Sequence, residues 1–205
     1  MATSGRPRQF DEAYVLESAM LLFWQRGYES TSLAQLREAT GLSSASIYNA
    51  FGSKEGLFER TIEHYVARPG SVQNLTADKS VAPGDALAQL LHGSVDTQVD
   101  PSHPGGCLIA LAATVVPSEA GSKPAEVVAA QRERDRTAIR ECVDRAAREG
   151  VFGSSPVSTE AIAVTVHTFI LGLSIQVRDG VPSSVLHAGA DALLAIWAPS
   201  ARTSP

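Results

Sequence analysis

The segment from residue 27 to residue 58, GYESTSLAQLREATGLSSASIYNAFGSKEGLF, constrains the fold of this chain more than any other. Ser32 and Gln35 have the spacing of a capping box, which predicts that a short helix begins there. Gly41 can adopt a positive φ without a Cβ clash and so predicts a sharp turn. Ser43 is a good N-cap for a second short helix. The segment is therefore predicted to form two short helices joined by a tight turn.

The two short helices have the spacing of a helix-turn-helix. Leu33 and Leu36 face inward in the first helix, and Ile47 and Phe51 face inward in the second. A helix-turn-helix places the start of its second helix in the major groove of DNA, where small polar side chains permit close approach to base edges. The outward residues of the second helix are Ser44, Ala45, Ser46, Tyr48 and Asn49.

Residues 10–65 resemble the N-terminal domain of the TetR/AcrR family of transcriptional regulators. The resemblance is carried by LLF…GY at the end of the first helix, TSL, the G-L-S turn, the Tyr48–Phe51 pair, and Ser-Lys-Glu with Leu57. It covers about a quarter of the chain without gaps, with several spacings agreeing at once. The resemblance implies an all-α protein with an N-terminal three-helix helix-turn-helix DNA-binding domain and a C-terminal helical domain for ligand binding and dimerisation.

The charge balance requires that any contact with DNA be local. The chain has 205 residues and a formal charge of −5 at pH 7, so it has no overall basic field. Residues 1–68 contain 7 Lys and Arg against 8 Asp and Glu. Individual cations near phosphates must therefore supply the electrostatic attraction. The 44% hydrophobic content suits a globular protein with a real core.

The sequence predicts a cytoplasmic protein without a membrane partner. Residues 1–10 are polar, unlike a signal peptide. The longest charge-free apolar run, Ala161 to Val177, is interrupted by polar residues and is shorter than the ~20 apolar residues of a bilayer span. Two cysteines, Cys107 and Cys142, do not make a disulfide framework.

We predict a flexible basic arm at residues 1–9, a DNA-binding domain at 10–68 and an effector-binding and dimerisation domain at 69–205. Apolar periodicity and Gly or Pro breaks predict about nine helices and no strand. After the helix-turn-helix, the predicted helices cover about residues 53–68, 86–99, 107–116, 122–150, 158–177 and 183–197. Residues 69–84 are predicted to be a loop, and RERDR at 132–136 is predicted to be a solvated face with local ion pairs.

The helix predicted at 158–177 is apolar on nearly every side, so it must be buried nearly all round. The helix at 183–197 combines small residues with Leu193, Ile196 and Trp197, which would let a partner helix approach closely. We therefore predict a two-fold homodimer with a four-helix interface, two helices from each chain. The alternative is that helix 158–177 is simply the central core helix of one chain.

A dimer would present two recognition helices to a palindromic operator in double-stranded DNA. The resemblance implies phosphate contacts by Thr31, Tyr48 and Lys54. The predicted base-reading residues are Ser44, Ala45, Ser46 and Asn49, with Arg6 and Arg8 reaching a minor groove or the backbone. The alternatives are that Tyr48 only packs its ring, that Lys54 is an ordinary surface lysine, that Asn49 is a polar residue at the helix C-terminus, and that the arginine arm is disordered. Arg37 stands where the family commonly has a small residue, and we expect its guanidinium to point outward.

Family members bind a small-molecule effector in the C-terminal domain. The candidate pocket residues here are Leu87, Leu91, Leu108, Leu111, Val115, Val143, Val166, His167, Phe169, Ile170 and Leu173. After residue 68 the only aromatic residues are Phe152, Phe169 and Trp197, so an aliphatic or small polar-headed ligand is favoured over a flat cation held between rings. Their alternative role is ordinary core packing, and His167 could likewise be a satisfied core histidine.

No catalytic motif, metal constellation or cofactor site is recognisable in the sequence. Cys107 follows two glycines at a predicted helix start, where free N–H groups can lower a thiol pKa; its alternative role is that of a small buried hydrophobe. We predict a ligand-responsive DNA-binding regulator that acts as a repressor, with activator left open. The alternative from another class is a small all-helical enzyme or carrier that binds an apolar ligand in the C-terminal domain.

Overall fold

The computed structural model describes residues 10–112, 122–153 and 157–197, and the regular structure of these residues is entirely helical. The helices are α1 Glu12–Arg26, α2 Leu33–Thr40, α3 Ser44–Phe51, α4 Lys54–Val66, α5 Val72–Leu75, α6 Pro83–Val99, α7 Leu108–Leu111, α8 Lys123–Arg148, α9 Thr159–Arg178 and α10 Ser183–Trp197. The prediction of an all-α fold is confirmed.

The predicted loop at 69–84 contains one unpredicted helix and the start of the next one. A single turn, α5, forms there because Ser71 caps it by accepting a hydrogen bond from the backbone N–H of Asn74. Helix α6 begins at Pro83 rather than Ala86. Proline suits the first helical position, since its fixed φ is helical and the N–H that it lacks would have no partner.

The first hydrophobic cluster joins the N-terminal helices to the rest of the chain. Phe23 of α1 meets Phe58 of α4 edge to face at 5.1 Å between ring centroids, and Trp24 meets Tyr65 in the same way at 5.1 Å. The same cluster includes Leu108 of α7 and Val128 of α8. The N-terminal helices therefore pack directly on the C-terminal part, with no separating linker.

The second cluster fills the space between α6, α8, α9 and α10. Leu90, Ile139 and Val166 are completely buried at its centre. At its edge a histidine pair joins α6 to α10: Nδ1 of His92 lies 2.9 Å from Nδ1 of His187, so one ring donates and the other accepts. The Nε2 atom of each histidine lies within hydrogen-bond distance of an aspartate carboxylate on the opposite helix.

Helices α9 and α10 bury one side and leave a strongly apolar side exposed. Helix α9 is, within the described ranges, the helix long and apolar enough to cross a membrane by length and composition alone. Its inward residues include Ile162 and Ile170, which pack in the second cluster. Its outward residues Val164 and Ile175 are 54% and 50% exposed. The chain by itself therefore does not bury α9 all round.

The prediction that residues 132–136 form a wholly solvated face is wrong for Asp135, which is only 8% exposed. The buried residues of α8 follow one stripe: Val128, Gln131, Asp135, Ile139, Cys142, Val143 and Ala146. Asp135 lies seven residues after Val128 and four before Ile139, so helical periodicity places it on the inward face. The surrounding charges in the sequence concealed that position.

Candidate DNA-binding interface

Helix α2 is fixed at both ends by the local signals present in the sequence. The backbone N–H of Gln35 donates to the Ser32 hydroxyl at 3.2 Å, and the Ser32 N–H donates to Oε1 of Gln35 at 2.8 Å. This reciprocal pair is the predicted capping box. At the other end Gly41 has a φ of +69°, which allows the chain to reverse toward α3.

Helix α3 begins after Ser43 as predicted and rests on the core through one side. The Ser43 hydroxyl accepts from the backbone N–H of Ser46 at 3.1 Å, and Gly52 ends the helix with a φ of +76°. Ile47 is completely buried, as is Leu36 of α2. These two residues fix the angle between the two helices by packing in the first cluster.

The opposite side of α3 faces outward. Ala45 and Asn49 are exposed, and Tyr48 is 50% exposed, so its ring does not simply pack into the core. Ser44 and Ser46 are half-buried, and the Ser46 hydroxyl shares a hydrogen bond with that of Ser43 at 2.9 Å. The structure thus brings the predicted base-reading residues onto one short surface.

Lys54, at the first position of α4, is held in a defined place beside this surface. Its Nζ lies 4.1 Å from the centroid of the Tyr28 ring, a cation–π contact. The Tyr28 hydroxyl in turn donates to Oε1 of Glu55 at 2.9 Å. Lys54 is therefore more constrained than an ordinary surface lysine. Its partner Tyr28 lies 26 residues earlier, and no sequence signal connected the two.

The charge of the Lys54 ammonium is opposed by partial burial and supported by two neighbouring carboxylates. Partial burial lowers the pKa of the Lys54 ammonium, while Glu29 and Glu55 act in the opposite direction. Hydrogen bonds to the Glu55 carboxylate lower its pKa and keep it ionised. The largest contribution comes from the Ser53 hydroxyl, and smaller ones come from a backbone amide and from the Tyr28 hydroxyl. A phosphate close to Nζ would replace lost hydration and stabilise the charged ammonium.

The predicted phosphate contact by the Thr31 side chain is wrong for this conformation. Thr31 is completely buried, and its hydroxyl donates to the Gly27 carbonyl at 2.7 Å. Its backbone N–H is also engaged, with the Tyr28 carbonyl at 3.2 Å. Thr31 therefore closes the turn before α2. The predicted contacts by Arg6 and Arg8 lie outside the described residues.

Two close contacts fix α3 against its neighbours. The Phe10 ring packs on the Phe51 ring at 6.2 Å between centroids, which connects the chain before α1 to the end of α3. A Cβ added at Gly56 would lie 2.0 Å from the Phe51 carbonyl oxygen. Only glycine allows α4 to start so close to α3. Arg37 stands where the family commonly has a small residue, and it is exposed, as expected.

The predicted effector-pocket residues are divided among several environments. Leu87, Leu91, Val143, Val166 and Ile170 pack tightly in the second cluster, with Phe169 at its edge. Leu108 and Leu111 belong to the first cluster, and Leu173 to a third small cluster. Val115 lies outside the described residues. His167 lines a separate groove of about 160 Å³ between α8 and α9.

Burial raises the pKa of the Cys107 thiol and outweighs the backbone N–H groups of Ile109 and Ala110, which act to lower it as expected for a helix start. The thiol sulfur accepts a hydrogen bond from the Tyr65 hydroxyl at 3.3 Å, and the Cys107 backbone N–H donates to the Ser174 hydroxyl at 3.1 Å. Tyr65 and Asp135 were not among the predicted site residues. Both nevertheless act on the pKa of the Cys107 thiol, which the Tyr65 hydroxyl lowers and the charge of Asp135 raises. Their proximity depends on the packing of α4 against α8.

A helix-turn-helix with an outward-facing second helix and a fixed lysine at its edge defines a DNA-binding protein. Residues 15–61 match the family model of bacterial regulatory proteins, tetR family. The chain is 32% identical over 198 residues to the HTH-type transcriptional repressor ComR of Escherichia coli (strain K12), covering 94% of this chain and 91% of ComR. It is 32% identical over 107 residues to the repressor BdcR of the same organism, covering 51% of this chain and 53% of BdcR.

A solved structure of a TetR family regulator also matches this chain. A cysteine mutant of the TetR family transcriptional regulator CifR, complexed with 26-base-pair double-strand operator DNA, matches with a TM-score of 0.83 and 34% sequence identity. The match covers 94% of this chain and 100% of that chain. The present chain belongs to the TetR family of transcriptional regulators. It is a soluble DNA-binding regulator, and the alternative of an enzyme or carrier is wrong.

Proposed function

We propose that the protein is a cytoplasmic repressor that binds a palindromic operator as a homodimer and is released by a small-molecule effector. The proposal rests on the outward face of α3, where Ala45, Tyr48 and Asn49 stand together on a rigidly capped helix. ComR and BdcR are named transcriptional repressors, which supports repression over activation.

The dimer accounts for the exposed apolar side of the last two helices. Four large hydrophobic residues are exposed there: Val164, Ile175, Val185 and Ile196. Gly172, Ala188 and Ala192 are also exposed, so a second pair of helices could approach closely. Apolar surface concentrated in this way indicates an interaction site. A second copy of the same two helices would cover it and complete a four-helix bundle.

We divide the contacts with DNA by their chemistry. Asn49 is suited to a bidentate contact with adenine, and Ala45 to a thymine methyl group, with Ser44 and Ser46 close by. Tyr48 and Lys54 would position the helix through phosphates. The arm at residues 1–9 would follow the backbone or a minor groove, residues 10–68 form the reading domain, and residues 69–205 hold the effector and the dimer interface.

The test is selection of bound sequences from a random pool of double-stranded DNA. We expect a palindromic consensus with half-sites about one helical turn apart, since two α3 helices related by a two-fold axis read both halves. The variant Asn49→Ala should relax the consensus at one position in each half-site. An asymmetric consensus, or none, would refute the proposed mode of binding.

A further inference from the structure

Two cavities meet at the junction between the N-terminal helices and the C-terminal part. The inner cavity has a volume of about 30 Å³ and lies among α4, α6, α8 and α9. The outer cavity has a volume of about 220 Å³ and opens between α1, α4 and α6. Their shared wall is formed by Tyr65, Gly70, Ser71 and Thr97. The two cavities are therefore neighbours along one path.

The inner cavity contains an incompletely paired carboxylate. Asp135 lines it and is 8% exposed. Oδ1 of Asp135 accepts from Nε2 of Gln131 at 2.9 Å. Among the described residues its other oxygen, Oδ2, accepts no hydrogen bond, although an ionised carboxylate can accept several. Oδ2 is not fully enclosed by protein atoms, so a donor from a ligand or water in the cavity can reach it.

The hydrogen bonds of Gln131 decide which end of its side-chain amide faces Asp135. Nε of Arg134 donates to Oε1 of Gln131 at 2.9 Å. The amide oxygen is thus turned to the guanidinium, and the amide nitrogen to Asp135. The guanidinium of Arg134 is engaged through Gln131 and does not pair with the carboxylate in a hydrogen bond. Arg134 and Arg136 act on the carboxylate only through space, where they lower its pKa, so a hydrogen-bond donor to Oδ2 has to come from inside the cavity.

The outer cavity is lined by aromatic rings and by one charged side chain of each sign, Arg68 and Asp100. The Trp24 ring stacks on His103 at 4.4 Å between centroids and meets Tyr65 edge to face. All three residues line the cavity. The neck between the two cavities is the place where Gly70 lies against the Thr97 side chain, since a Cβ on Gly70 would lie 2.1 Å from the Thr97 hydroxyl oxygen.

We propose that this pair of cavities binds a small organic amine, with its ammonium group against Asp135 and its apolar body along Trp24 and Tyr65. The assignment rests on the proposed effector-responsive function and names the chemical class of the effector. The inner volume is about that of one water molecule or ammonium group, while the outer volume accommodates a short hydrocarbon chain.

The chemistry distinguishes an amine from an acid or an alcohol. An ammonium supplies donors and the opposite charge, and a hydrogen bond between charged groups is roughly twice as strong as a neutral one. A carboxylate ligand would place like charge beside Asp135. The burial that raises the pKa of Asp135 to about 6 leaves it largely ionised at neutral pH, and an ammonium would stabilise that ionised form.

The experiment compares n-butylamine, 1-butanol and butyrate as probes, followed by Trp24 fluorescence. The chain has two tryptophans, so Trp197→Phe leaves Trp24 as the reporter. We expect saturable binding of the amine, with the alcohol and the acid roughly 10- to 100-fold weaker. Equal binding of amine and alcohol would overturn the proposal.

The decisive variant is Asp135→Asn, and Asp144→Asn on the same helix is its matched control. The first should remove the preference for the amine, and the second should keep it. Retention of the preference by Asp135→Asn would refute the site. If that variant does not fold, Thr97→Leu closes the neck instead and should abolish amine binding; unchanged binding by Thr97→Leu would equally refute the site.

A gel-shift assay with the selected duplex separates this inference from the proposed function. If the protein binds the duplex but not the amine, the ligand assignment fails alone. If the protein binds no duplex, the proposed repressor function fails whatever the amine does. If both hold, the amine should lower the affinity for the duplex, and an amine that binds without changing that affinity contradicts its role as effector.

Discussion

The guanidinium of Arg178, at the end of α9, donates to the backbone carbonyl of Trp24, at the end of α1, at 3.1 Å. Its Nε also donates to the Gly105 carbonyl at 3.4 Å. One side chain of the proposed dimerisation helix thus holds the last turn of the first N-terminal helix. Because Trp24 also lines the outer cavity, this contact links the dimer face, the cavity and the reading domain.

Removal of this link should loosen the end of α1. We expect Arg178→Ala to increase amide hydrogen exchange in residues 23–28 by about fivefold, since a partly exposed charged hydrogen bond contributes on the order of 1 kcal/mol. The control is Arg148→Ala at the exposed end of α8. Unchanged exchange in Arg178→Ala would show that α1 is held by packing alone.

Lys54 should contribute to the affinity for the operator through its charge and should not contribute to recognition of the base sequence. We expect Lys54→Ala to weaken operator binding about tenfold and to reduce the slope of log affinity against log salt by about one, as one phosphate contact is lost. The selected consensus should not change. Lys79→Ala, in the C-terminal part, is the control for a lost surface lysine. A salt slope equal to that of the wild type would mean that Lys54 does not contact phosphate.

Gly56 should be intolerant of even one methyl group. The added Cβ would lie 2.0 Å from the Phe51 carbonyl oxygen, so α3 and α4 would have to separate. We expect Gly56→Ala to lower the free energy of unfolding by about 1–3 kcal/mol. Gly84→Ala has its nearest neighbour at 3.9 Å and should be neutral or stabilising by up to about 1 kcal/mol. Denaturant melts of both variants give the comparison; equal stabilities would contradict the predicted clash.

Asp135 should make the folded state more stable at acidic pH than at alkaline pH. Burial raises its pKa from 3.8 to about 6, so between these values the folded state binds more protons than the unfolded state. The stabilisation is complete below about pH 4 and is lost as the pH rises through 6. Asp135→Asn removes this dependence and should be more stable than the wild type at pH 8, by up to about 3 kcal/mol. Denaturant melts at several pH values measure the difference, and a pH-independent difference would contradict the raised pKa.

The dimer interface should not tolerate a charge at a small residue. Ala192 is exposed on α10, and we expect Ala192→Arg to yield monomers in sedimentation velocity and to lose operator binding while remaining folded. Ala129→Arg, on an exposed position of α8, should remain dimeric. A dimeric Ala192→Arg protein would place the interface elsewhere.

The sequence by itself determined the helix-turn-helix. Ser32, Gly41 and Ser43 act within four residues of their partners, so the ends of α2 and α3 depend on local hydrogen bonds and dihedral angles. The same short range applies to Asp11 and Ser53, whose side chains cap α1 and α4 by accepting from a backbone N–H three residues further on. The apolar character of α9 was also readable, because its composition is a property of one segment.

Only the tertiary structure decided which polar residues are inside. Thr31 is buried because Gly27 accepts its hydroxyl where α1 ends, and Asp135 is buried because α8 turns that side toward α4 and α6. The predicted effector residues are apolar at helical spacing, which identifies a core but not a cavity. Cavities arise where helices distant in sequence fail to fill the space between them, and that depends on how the helices pack rather than on any one segment.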